Sequence, residues 1–146
     1  MVSTLGLKWT PREDEFLFSV SLSDASHQAV TKRSILSEMS KLFDPMGWLA
    51  PFLVQAKLIM QDLWKLKLDW DTPLSSTEPA EAVLLQKWLT FRAQIAELSQ
   101  IRIPRWYQVS INWHLHSFAD ASDKAYSAYL YLVVPGRSST LMLSKS

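Results

Sequence analysis

Asp120 stands at the end of one apolar run and just before another, in the stretch HSFADASDKAYSAYLYLVV at 116–134. Two chemistries are open to it. At the end of a core strand it would ligate a catalytic metal. In a turn its side chain would bond nearby backbone N–H groups. Spacing alone favours the turn, because a buried functional carboxylate needs partners and none adjoins it. His114 and His116 are two apart, so a strand would point both to one face. His-x-His is a metal-ligating pattern, with Asp120 as the third donor if the strand stays regular. Phe118 between them argues for a packed face instead, and structural zinc needs four donors. The DTP at 71–73 approaches the Asp-Thr/Ser-Gly of aspartic proteases, but Pro73 replaces the Gly after Asp71. No Asp-Asp pair occurs anywhere in the chain.

The elements that would carry these residues follow from periodicity. Residues 4–22 read as a β-hairpin: LGLKW is a strand, TPRED a turn, and Phe16, Phe18, Val20 and Leu22 alternate onto one face. An isolated hairpin is marginal in water, so this one needs a neighbour. SDASHQAV (23–30) is a polar loop. Thr31 is an N-cap candidate. Behind it Ile35, Leu36, Met39, Leu42 and Phe43 share one helical face. Pro45 and Gly47 stop that helix, and Pro51 suits the first turn of a second, reaching about Leu68. The second helix is apolar nearly all round, including Trp64, with a polar stripe of Lys57, Gln61 and Lys65. That pattern suits the centre of a bundle. A third helix over about 78–98 aligns Leu84, Leu85, Trp88, Phe91, Ile95 and Leu98. Short links favour antiparallel packing, with Leu36, Leu58, Ile59, Leu63, Leu85 and Trp88 buried. SQIRIPRWYQ is an extended link and a candidate boundary. The period then changes to strands: INWHLHSFAD, AYSAYLYLVV and STLMLSKS.

Composition narrows the classes. The 146 residues are 48% hydrophobic with seven Trp and six Phe, enough to bury a core. Net charge is +1, so no strong basic field advertises nucleic acid. Residues 31–67 carry six Lys/Arg against three Asp/Glu, a mild local excess. Cysteine is absent, which excludes disulfides and thiolate sites and fits an intracellular protein. No apolar run approaches the ~20 residues of a membrane span, and no basic-then-apolar leader opens the chain. Lys57 and Lys65 could reach phosphate, although a solvated stripe is the simpler reading. The tryptophans could stack bases, but Trp64 and Trp88 read as core.

The segments TLGLKW, TKRSILSEMSKLFDPMGWLAPFLVQAKLIMQDLWKLKLDWD, WLTFRAQIAELSQIRIPRW and HSFADASDKAYSAYLYL follow one another across nearly the whole chain. In this order the chain resembles the pol polyprotein of Bel/Pao LTR retrotransposons, in the region named the Pao retrotransposon peptidase family. The resemblance implies an α+β chain with three parts. Residues 1–30 would be a β-hairpin at the end of the reverse transcriptase palm. Residues 31–100 would be a three-helix thumb/connection bundle, and 101–146 the first antiparallel strands of an RNase H-like sheet. It implies nucleic-acid contacts at Leu5, Gly6 and Trp9 in a primer-grip-like strand, and at Lys57 and Lys65. It makes Asp120 the first RNase H carboxylate and a Mg²⁺ ligand, with none held stably by this chain alone. Two Mg²⁺ need several carboxylates, and the Glu-bearing helix would follow Ser146. Ser127 departs from the Gly usual in the family. The implied partners are an RNA–DNA or DNA template–primer duplex, bound weakly, and the remainder of the polyprotein. No membrane is implied; the setting would be the cytoplasm, in a virus-like particle, or the nucleus. Two other readings are an aspartic peptidase, which needs two carboxylates sharing a proton, and an inactive remnant.

Overall fold

The computed structural model describes residues 2–4, 7–22, 29–107, 112–137 and 139–146. The first strands are β1 (Val2–Thr4), β2 (Leu7–Thr10) and β3 (Glu15–Phe18). The turn between β2 and β3 carries Pro11, and Asp14 closes it at φ 53. The expected hairpin acquires its neighbour from far along the chain. β4 (Arg102–Pro104) pairs antiparallel with β3, placing Ile103 opposite Phe16, and completes a four-stranded sheet in the order β1-β2-β3-β4. The IRIP segment is thus extended, as expected, but it belongs to the N-terminal sheet. The loop expected over 23–30 lies outside the described residues at 23–28.

Thr31 is the N-cap of α1 (Lys32–Met39). Its hydroxyl accepts the Ser34 N–H at 3.1 Å, and the Thr31 N–H donates to the Ser34 hydroxyl at 2.9 Å, a reciprocal capping box. The helix is shorter than its apolar spacing suggested. Leu42 is buried beyond its end, while Leu36 is 43% exposed. The reason is competition for the inner face. Glu38, three residues on from the fully buried Ile35, turns inward and takes a bidentate pair from Arg92 at 2.6 and 3.1 Å. Leu36 lies about 100° round from Ile35 and meets water.

Pro51 stands in the first turn of α2 (Ala50–Lys65), and Pro79 opens α3 (Pro79–Gln94), continued by a 3₁₀ segment over Ile95–Gln100. α2 is not apolar all round. Ala56, Ile59, Met60 and Leu63 form one buried face at i, i+3, i+4, i+7, and Leu58 is half-buried off its side. Trp64 is 55% exposed, not core. It lies one step past the buried face and covers the Lys32 ammonium, 4.4 Å from its ring centre. On α3 and its extension Leu84, Trp88, Phe91, Ile95 and Leu98 are buried, with Leu85 half-buried. Phe52 stacks on Phe91 at 4.3 Å between ring centres, joining α2 to α3. Phe18 of β3 enters the same core.

The C-terminal strands β5 (His114–Ala121), β6 (Tyr126–Val133) and β7 (Thr140–Lys145) form an antiparallel sheet in that order. Its buried Leu132 and Val134 lie outside the helical core cluster. The sheet meets the helices through β7. The Ser144 N–H donates to the Met46 carbonyl at 2.9 Å and its hydroxyl donates to the Gly47 carbonyl.

Candidate functional site

β5 pairs with β6 from His114 opposite Val133 to Ala121 opposite Tyr126, which puts Asp120 opposite Ser127. The strand is regular, so His114, His116, Phe118 and Asp120 share a face. The same regularity prevents them from meeting. Four residues of strand separate His116 from Asp120 by about 13 Å, far beyond joint ligation. The His-x-His metal reading is therefore not realised in this sheet. The two imidazole centres are 6.5 Å apart, and Phe118 packs edge-on to Tyr131 at 6.1 Å.

Asp120 is exposed, and its Oδ1 accepts the Ala121 N–H at 2.9 Å. The next residues, Ser122–Ala125, make the turn, with the Ser122 hydroxyl accepting the N–H groups of Lys124 and Ala125. Asp120 is thus a strand residue at the lip of the turn, joining parts of both sequence readings. It opens on a hollow of about 200 Å³ lined by Val54 of α2, Ser122, Ser127, Tyr129 and Ser146. Asp120 is the one acidic side chain among the residues lining that hollow. Among the described residues no cluster of three or more His, Cys, Asp or Glu could hold a metal ion. One carboxylate on an open sheet does not fit a two-Mg²⁺ centre, which needs several.

Leu5 and Gly6 lie outside the described residues. Trp9 is tied into a lock at the end of the hairpin. Its indole N–H donates to Asp14 at 2.9 Å, and the Arg105 guanidinium lies 5.6 Å from its ring centre. Arg105 also grips both Asp14 oxygens, at 2.6 and 3.1 Å. The Arg105 hydrogen bond holds the Asp14 carboxyl below the usual carboxylate range. Lys57, Gln61 and Lys65 are all exposed along α2, as the stripe predicted. Lys57 donates to the Ser146 carbonyl; Lys65 pairs with Asp62 at 2.8 Å. Asp71 has both oxygens taken by Arg33, at 2.6 and 3.0 Å, and is absent from the Asp120 hollow. No Asp71–Asp120 dyad is assembled there.

The Glu38–Arg92 pair and an ammonium from Lys87 lying 3.9 Å from Asp62 are absent from the sequence reading. Both join residues on different helices, and no local spacing signals them.

The model of the Pao retrotransposon-like RNaseH-like domain matches residues 31–146. The chain belongs to this family. The matched span begins at the N-cap of α1, takes in all three helices and β4 to β7, and leaves β1 to β3 outside. It crosses residue 100 without a break. No curated protein and no solved structure matches. Among the described residues no helix is long and apolar enough to cross a membrane.

Proposed function

We propose that this chain is a segment of a Bel/Pao retrotransposon pol polyprotein, spanning the reverse transcriptase thumb/connection and the first strands of RNase H. The helices support template–primer binding, and Asp120 is the first carboxylate of the RNase H centre. The carrying observation is the family match over 31–146, joined to a regular first strand that presents Asp120 at its far end. In the complete domain Asp120 would be one of several carboxylates holding Mg²⁺, which would supply Lewis-acid chemistry there. This chain's own contribution is one donor, Asp120, on a strand whose pairing to β6 fixes its position. Leu5, Gly6, Trp9, Lys57 and Lys65 are the proposed nucleic-acid contacts, and the rest of the polyprotein is the proposed partner.

The test is binding and turnover on an RNA–DNA hybrid. A small basic surface should bind weakly, with a log K against log salt slope of magnitude around three or less, at about 0.9 per phosphate. No cleavage should accompany binding in Mg²⁺ or Mn²⁺. Cleavage that disappears in Asp120→Asn would show that the chain completes a centre by itself and would overturn the supporting role. Peptide hydrolysis at acidic pH would return the peptidase reading.

A further inference from the structure

We propose that Lys65 and Lys87, which flank Asp62 from α2 and α3, form a phosphodiester-binding pair beside the groove between those helices, with Lys124 of the β5–β6 turn adding a longer-range positive field. It rests on the nucleic-acid reading above, which already includes Lys65, and adds to it Lys87 and Lys124, which no local spacing brings to Lys65. The three ammonium groups come from three separate segments. Lys65 lies 2.8 Å from one Asp62 oxygen and Lys87 3.9 Å from the other. Lys124 sits in the turn that follows Asp120, close enough for its field to act on Asp62. The Lys65 hydrogen bond, aided by the fields of Lys87 and Lys124, holds the Asp62 carboxyl low against its partial burial. Lys65 and Lys87 facing the single Asp62 carboxylate leave one positive charge uncompensated at the pair, and Lys124 adds to the same field.

These amines remain available to a ligand. The Lys65 and Lys87 side chains are 66% and 54% exposed. Ion pairs at such exposure contribute little to stability, so exchanging Asp62 for a phosphate costs the fold little. Asp62 and Lys87 stand on the rim of a groove of about 540 Å³ between α2 and α3. Its floor is Leu58, Ile59 and Phe91, and Gln55, Gln86 and Thr90 supply amide and hydroxyl groups along it. An anion on the rim would be followed by uncharged hydrogen-bonding groups, the sequence of surfaces a sugar–phosphate strand presents.

The experiment is fluorescence anisotropy of a labelled RNA–DNA hybrid with the 146-residue chain, over a salt series. Lys87→Gln with Lys124→Gln should lower the slope by at least about 0.9, the value for one phosphate contact. Thermal melting of the same variant should be unchanged, since both residues are exposed. Asp62→Asn should tighten binding, and Glu13→Gln, an equal charge change on the β2–β3 turn, should tighten it less. A hybrid bound by the parent chain with the same slope in the double lysine variant overturns the pair alone. No binding by the parent chain overturns both the pair and the template–primer reading.

Discussion

Gly47 decides how the three-stranded sheet meets the helices. Its φ of +73 is a conformation that L side chains rarely adopt, and a Cβ there would overlap the Ser144 carbonyl. Gly47→Ala should cost about 1–2 kcal/mol from backbone strain alone and release β7 from the Met46–Gly47 turn. Hydrogen exchange at the Ser144 N–H should accelerate more than exchange inside α3. A protected Ser144 N–H in the variant would mean that the sheet is held elsewhere. Asp14 gives a second residue-scale expectation. Its folded pKa lies below the ordinary value because Arg105 bonds it. A depressed carboxyl stabilises above the unfolded pKa of about 4, and that contribution is lost as pH falls through the lower folded value. The Trp9 indole N–H resonance should therefore shift below about pH 4, and Arg105→Gln should move that titration upward. At this scale the sequence identified Asp120 as the residue to watch, but not its partners. Spacing cannot show that a regular strand holds His116 and Asp120 apart, nor that Arg33 and Arg105 claim Asp71 and Asp14.

Helices were the most legible elements, and their burial separates two leucines that sequence treats alike. Leu63 is fully buried and Leu36 is 43% exposed. Leu63→Ala should destabilise by ~2–5 kcal/mol; Leu36→Ala should stay within about 0.5 kcal/mol, as surface changes usually do. Chemical denaturation of both variants checks the pair, and equal midpoints would show that the two sites share one environment. On the face expected for the third helix Leu84, Trp88, Phe91, Ile95 and Leu98, at 4,3,4,3 spacing, are buried, while Leu85 is half-buried. The α1 face failed because Glu38 and Arg92 are 54 residues apart, so their pairing is invisible to a local period. Trp64 failed for a similar reason. Its hydrophobicity is used to shelter the Lys32 ammonium from above, a role that depends on where another helix begins. β4 escaped recognition as a sheet strand because three residues carry too little alternation to show which sheet they join.

Across the whole molecule the α+β class and the order hairpin, helices, strands were all legible, because each change of hydrophobic period marks a change of element. The division near residue 100 was less so, since β4 returns to the first sheet before the second begins. The two sheets also differ in cover. The first shares Phe18 with the helical core, whereas every residue of β5 is exposed, including Leu115 at 51% and Phe118 at 58%. Among the described residues β5 pairs only with β6, and its eight residues carry no Lys, Pro or bulge, leaving Asp120 as the one carboxylate against edge pairing. The practical consequence concerns storage and concentration. Stocks held at high concentration should slowly grow thioflavin-positive fibrils seeded from this edge, and Phe118→Lys should lengthen the lag without altering the melting temperature. A lysine variant that clouds as fast as the wild-type chain would show that growth starts from another surface.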